Sequence, residues 1–160
     1  MNLESQLRSI AASVPEGRLR LFGCECCRRL SPYYDHPAIA RMIALAELRS
    51  TRHVSRKKIS EICDPFDAVY EALENEYLEG DCDDGSPAML ALCAAFEVAC
   101  VDSSFDAAVG AAEFTARSIA KYVCFDADPA HYDEVYEPAV AAEVDYQKKL
   151  LVRFFRDDLR

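Results

Sequence analysis

The chain has 160 residues, of which 51% are hydrophobic, and its formal net charge is −10 at pH 7. This length fits a single domain, residues 1–160, with a core of its own. No stretch is long and apolar enough to span a membrane, and the N-terminal residues lack the basic and apolar regions of a signal peptide. We therefore expect a cytoplasmic protein without a membrane partner. The many alanines, the five glycines and the absence of tryptophan favour an all-α fold over a β-sandwich.

The charge is distributed unevenly along the chain. Residues 1–60 hold 11 Lys/Arg and 5 Asp/Glu, a net charge of +6, whereas residues 61–160 hold 7 and 23, a net charge of −16. Either the two parts pack with their charges facing each other, or the surface is bipolar and steers an oriented partner. Because so acidic a chain repels the phosphate backbone, we do not expect nucleic acid as a partner.

Capping residues and apolar periodicity predict a compact all-α bundle of six or seven helices. The predicted starts of the main helices, in chain order, are Asn2, Pro15, Pro37, Asp64-Pro65, Ser86-Pro87, Ser103 or Ser104, and Pro138, and Ser55 starts a further short helix. The helix from Ser55 is short and ends at Cys63, and a broken acidic segment precedes Pro138. The helices at about 15–30 and 87–102 are apolar on more than one side, so we expect them to be the most buried.

The second predicted helix contains the sequence RLRLFGCECCRRL, residues 18–30, which we call the Cys/Arg segment. Residues at helical i, i+3 and i+4 spacing form one packing face of this segment. They are Leu19, Phe22, Gly23, Cys26, Cys27 and Leu30. A glycine inside a helix costs about 1 kcal/mol relative to alanine. We predict that a close helix crossing at Gly23 compensates for this cost.

The string RLRLFGCECCRR resembles the opening signature, R-LRLF-A-x-A-CCRR, of an uncharacterised bacterial family of Ala-rich helical proteins, with Gly23 and Glu25 where relatives carry small residues. The closing QKKLLVRFF is similar to the family's Q-x-x-LLR-D-IF ending, although Val152 and Arg153 alter the order. Residues 88–120 fit in composition. The resemblance implies a bacterial, cytosolic, all-α protein and supplies no catalytic residue, because the family has no established activity.

Cys24, Cys26 and Cys27 are the candidate metal or thiol site. Cys24 and Cys27 lie three residues apart on a helix, and neighbouring arginines lower the pKa of a thiol. Tetrahedral zinc also needs ligands from a second element, and no downstream C-x-x-C or His pair supplies them. We therefore expect buried, reduced, structural cysteines and no cofactor, with a metal- or thiol-dependent function as the alternative.

Glu97 is the only charged residue between positions 87 and 101. Burial would raise the pKa of its carboxyl group unless a cation faces it. We expect a structural rather than a catalytic role for Glu97, either in a buried pair with an arginine of the second helix or as a partly exposed glutamate.

Acidic residues of the C-terminal part are the candidate partner surface. The residues concerned are Glu71, Glu74, Asp81, Asp83, Asp84, Asp133 and Glu134. A calcium loop at residues 81–85 is not favoured, because placing Gly85 at the sixth loop position puts Gly80 and Cys82 where ligands belong. We expect a non-enzymatic protein-interaction module of inhibitor or immunity type that binds another, basic protein.

The run RSTRHVSRKK, residues 49–58, is the most basic part of the chain. It lacks interleaved aromatic residues, so a solvated helix-end patch is favoured over a site for phosphates.

Overall fold

The computed structural model describes residues 2–77, 86–125 and 128–156, with the side chains of Glu76, Tyr77 and Pro129 left aside. Within these residues the chain folds into eight α-helices and contains no strand, which confirms the all-α bundle. The helices are α1 (Leu3–Ala11), α2 (Glu16–Arg28), α3 (Pro37–Thr51), α4 (Arg56–Cys63), α5 (Phe66–Tyr77), α6 (Pro87–Cys100), α7 (Ser104–Val123) and α8 (Tyr132–Phe154). A single 3₁₀ turn, Pro129–His131, precedes α8. Among the helices described, none is both long and apolar enough to cross a membrane.

Polar caps start most of these helices where the sequence predicts a start. The Asn2 Oδ1 atom accepts a hydrogen bond from the Ser5 amide at 2.8 Å, and the Ser103 hydroxyl accepts one from Asp106 at 3.2 Å. The Ser86 hydroxyl accepts from the Met89 amide at 3.1 Å. Each cap satisfies an amide at the helix start that has no partner within the helix.

The first residue of α8 differs from the predicted one. The helix begins at Tyr132 rather than at Pro138, which lies inside it. The proline removes the donor that would bond the Glu134 carbonyl, but this part of the helix is exposed and water can take the donor's place. The Tyr132 and Tyr136 rings, one turn apart, stack with centroids 5.4 Å apart and hold the first turns together.

Helix α2 lies between two groups of core residues. Its Cys24 and Cys27, with Leu30 just beyond its end, belong to a core formed mainly with α3 and α6. Its Leu19, Phe22 and Cys26 belong to a second core formed with α1, α7 and α8. The expected burial of α2 and α6 is therefore confirmed. Helix α7 is equally central, because a run of alanines lets it pack closely against both; the buried ones are Ala107, Ala108, Ala111, Ala112, Ala116 and Ala120.

The close crossing predicted at Gly23 is present. A Cβ atom at this position would lie 2.7 Å from Val98 Cγ1 on α6 and 3.2 Å from Ala108 Cα on α7. Only a residue without a side chain fits between the two helices. The glycine thus allows α2 to pack directly against the other two central helices.

The expectation of reduced thiols is wrong for one pair of cysteines. Cys63, at the end of α4, and Cys100, at the end of α6, form a disulfide with their Cα atoms 6.4 Å apart. Their separation of 37 residues gave no sequence signal, because the fold brings two helix ends together. The other described cysteines are free: Cys24, Cys26, Cys27, Cys93 and Cys124. Cys82 lies outside the described residues.

Candidate functional site

The guanidinium group of Arg20 caps the C-terminal end of α6. It is 3% exposed and donates hydrogen bonds to the carbonyl oxygens of Val98, Val101 and Asp102 at 2.5–2.8 Å. The last carbonyls of a helix have no partner within it, and a cation there also interacts favourably with the helix dipole. The side chain therefore ties α2 to the end of α6.

A second arginine, Arg49 of α3, binds the same helix end. It donates to the Ala99 carbonyl and forms an ion pair with Asp102 at 3.1 Å. Burial, and then the nearby positive charge of Arg49, lower the pKa of Arg20. An arginine retains its proton under such conditions, so two cations share one cluster of carbonyls.

The other three arginines of the Cys/Arg segment also reach other helices. Arg18 donates to the Phe154 carbonyl at 2.9 Å, at the end of α8. Arg28 pairs with Glu25 of its own helix and with Glu47 of α3. Arg29 pairs at 3.1 Å with Glu143 of α8, which is 4% exposed. The hydrogen bond with Glu143 raises the pKa of Arg29. The arginines that suggested a site in the sequence therefore hold α3, α6 and α8 around α2.

The three cysteines of the segment are buried thiols. Cys24, Cys26 and Cys27 are at most 1% exposed. Burial raises the pKa of Cys24 to about 11 and raises the pKa values of Cys26 and Cys27 well above that of an ordinary thiol. The Cys27 thiol donates to the Ala94 carbonyl at 3.4 Å. All three are thus protonated at neutral pH, whereas the thiolate is the nucleophile and the metal ligand. In the described ranges, no three His, Cys, Asp or Glu side chains are placed to hold a metal ion.

Glu97 is partly exposed and forms no ion pair with a described arginine, so the second of the two expected arrangements is the one observed. Arg20, the buried arginine of α2, is engaged by backbone carbonyls instead. The Glu97 carboxylate packs over Gly110 of α7, where a Cβ atom would lie 2.7–2.9 Å from its side-chain atoms. Burial, with the negative charges of Asp106 and Glu113, raises the pKa of Glu97. It is a carboxylate in an unfavourable acidic setting rather than half of an ion pair.

The outer side of α5 carries a row of acidic residues. Asp67, Glu71 and Glu74 are exposed, and none forms an ion pair with a described residue. We call these three residues the acidic face of α5. The opposite side packs on α6, where the Phe66 and Phe96 rings have centroids 4.3 Å apart. The helix therefore presents these acids outward.

The remaining predicted partner residues lie elsewhere. Asp133 and Glu134 are exposed in the first turn of α8, where negative charge also favours the helix. Helix α8 packs on α7, α1 and α2, whereas α5 packs on α6, so the two acidic groups belong to different parts of the bundle. Asp81, Asp83 and Asp84 lie outside the described residues, as does the calcium loop considered for them.

The basic run at residues 49–58 is divided by the fold. Arg49 points inward to α6. Arg52, Arg56 and Lys58 are exposed, and Lys57 is 3.9 Å from Glu61. The exposed members lie between α3 and α4 and in the first turn of α4.

A basic groove on the C-terminal half of α8 has no counterpart among the residues singled out in the sequence. Its volume is about 610 Å³, and it is lined by Gln6, Tyr146, Lys148, Lys149, Leu150, Val152, Arg153 and Arg156. The available signal was the helical spacing of Lys149 and Arg153. The net acidity of residues 61–160 obscured it.

Comparisons with protein-family models, with curated proteins and with solved structures find no significant match to this chain.

Proposed function

We propose that this chain is a non-enzymatic protein-interaction module that binds a basic protein through the acidic face of α5, in a role of inhibitor or immunity type. The observation that carries the proposal is the contrast between two sets of charges. The arginines of the Cys/Arg segment are used inside the molecule, whereas Asp67, Glu71 and Glu74 are exposed without ion-pair partners among the described residues.

The arrangement of these acids favours binding over stability. Asp67 and Glu71 are four residues apart, and Glu71 and Glu74 three, so their like charges repel along one helix face at a cost of about 0.2–0.5 kcal/mol per pair. A partner that supplies cations relieves this repulsion. Complementary charge also speeds encounter, which makes the association rate fall as salt rises. We assign Asp133 and Glu134, together with Asp81, Asp83 and Asp84, a secondary part in attracting the partner.

We do not propose a metal- or thiol-dependent function for Cys24, Cys26 and Cys27. Their thiols are buried and protonated at neutral pH, and no observation favours this second function. We also propose a bacterial, cytoplasmic setting and membership of the family that the end motifs resemble. The reducing cytosol disfavours disulfides, so thiol trapping of Cys63 and Cys100 in host cells tests the compartment.

The test of the binding proposal compares matched charge variants. Three immobilised proteins are exposed to host lysate at low and high salt: wild type, E71Q/E74Q and the control D35N/E61Q. The protein that they capture is then purified, and its affinity for each of the three is measured. We expect a basic partner whose affinity falls at least about tenfold in E71Q/E74Q and is unchanged in the control. The absence of any partner, or equal affinities with the same salt dependence in all three proteins, would refute the proposal.

A further inference from the structure

The basic groove on α8 holds cations that form no ion pair with the described residues. Lys149, Arg153 and Arg156 form no ion pair with a described residue, whereas Lys148 pairs with Asp145 at 3.0 Å. Lys149 and Arg153, four residues apart on one helix, repel each other. This differs from the Cys/Arg segment, whose arginines all have partners. The groove therefore leaves positive charge exposed on a chain of net charge −10.

Apolar side chains lie among these cations. The Tyr146 ring is 37% exposed, with the Arg29 guanidinium 3.9 Å from its centroid, and Val152 is 59% exposed. Leu150, which is 8% exposed, adds apolar surface at the base. A groove that combines apolar surface with one sign of charge suits an amphipathic helix of the opposite charge. The occupant should therefore combine acids with small or apolar side chains.

The outward side of α5 has these properties. Ala68 and Ala72 are exposed beside the acids, so another surface can approach this helix closely. The acids at positions 67, 71 and 74 are separated by four and then three residues. The cations at positions 149, 153 and 156 have the same separations, although Arg156 lies just beyond the end of α8. Seven residues of helix span about 10 Å, so the two sets of charges extend over similar lengths.

We propose that the basic groove binds the acidic face of α5 of a second copy of this chain. The two surfaces belong to different parts of one molecule, because α5 packs on α6 and the groove lies where α1 meets α8. Pairing between unlike surfaces is heterologous, so it adds copies head to tail rather than closing a symmetric dimer. This inference shares the acidic face of α5 with the proposed function, and it predicts that a basic partner and a second copy compete for that face.

Sedimentation velocity of the purified chain over a concentration series tests the proposal. We expect concentration-dependent growth beyond the monomer at about 0.01 M salt, where the Debye length is about 30 Å, and loss of association near 1 M, where it is about 3 Å. Reversing either set of charges, with E71K/E74K or with K149E/R153E, should lower the association constant about tenfold or more. D35K/E61K and R52E/K58E are controls with the same changes in net charge at exposed positions, and they should associate as wild type.

Mixing the two reversed variants gives the sharpest result. E71K/E74K keeps an intact groove and K149E/R153E keeps an intact acidic face, so together they should form heterodimers although neither variant associates alone. The reversed α5 face and the reversed groove are also complementary in charge, so these heterodimers can associate further. A monomer at every concentration at low salt overturns the proposal, as does association that either reversal leaves unchanged or a mixture that forms no heterodimer. These sedimentation results leave the comparison of E71Q/E74Q with wild type in binding a basic protein unaffected. Self-association and the binding of a basic partner can therefore be refuted independently.

Discussion

Replacing Arg20 with methionine tests the role of the Cys/Arg segment in stability. Methionine keeps the apolar stem and removes the three hydrogen bonds to the end of α6. The Val98 carbonyl is then left buried without this donor, at a cost of about 1–3 kcal/mol, and the two partly buried carbonyls lose about 0.5–1.5 kcal/mol each while water replaces the donor. We expect R20M to lower the free energy of unfolding by about 2–6 kcal/mol.

Urea denaturation followed by circular dichroism measures this change. With a slope of about 2 kcal/mol/M, the midpoint should fall by about 1–3 M with the slope unchanged. R28M is the matched control on the same helix, because the ion pairs of Arg28 are partly exposed and such pairs contribute about 0–1 kcal/mol. If R20M and R28M are equally stable, the capping of α6 by Arg20 contributes nothing and the reasoning is wrong.

Three further changes test the packing and the charges. G23A should lower the free energy of unfolding, measured in urea, by about 1–3 kcal/mol, because the added Cβ would lie 2.7 Å from Val98 Cγ1. If helix propensity alone mattered, the alanine would stabilise the protein instead. Because its pKa is raised, Glu97 is less stable as a charged group in the folded state than in the unfolded state. E97Q should therefore be more stable than wild type at neutral pH, and this difference in unfolding free energy should vanish as pH falls below the ordinary carboxyl pKa. A difference that does not change with pH would contradict this. Dithiothreitol should lower the unfolding free energy of wild type by about 2–4 kcal/mol through loss of the Cys63–Cys100 bond and leave the C63S/C100S variant unaffected.

The local features of the fold could be predicted from the sequence because their causes are local. Ser86 precedes a proline and an apolar run, which together define a helix start. Gly23 amid small side chains predicts a close crossing, since nothing else offsets its helix-breaking tendency. Pro138 is the exception, because water can bond the exposed carbonyl that the proline leaves free and the stacked Tyr132 and Tyr136 rings hold the turns before it.

The partners of the buried charges could not be predicted, because they come from distant parts of the chain. Arg20 binds backbone carbonyls about 80 residues away, and any sequence can supply a carbonyl. The pairing of Glu97 with an arginine, one of the two expected arrangements, is not observed for this reason. The Cys63–Cys100 bond depends on where α4 ends relative to α6. The candidate acidic face was predictable at Glu71 and Glu74, because amphipathic periodicity alone places these acids outward.

The Cys/Arg segment stabilises the fold, and its three thiols are buried and protonated. Brief alkylation of the native protein, followed by mass-spectrometric mapping of each cysteine, tests this most directly. We predict that Cys24, Cys26 and Cys27 remain unmodified until the protein unfolds, because all three thiols are buried and protonated. Modification of any of the three in the folded protein, at the rate of an exposed thiol, would contradict this.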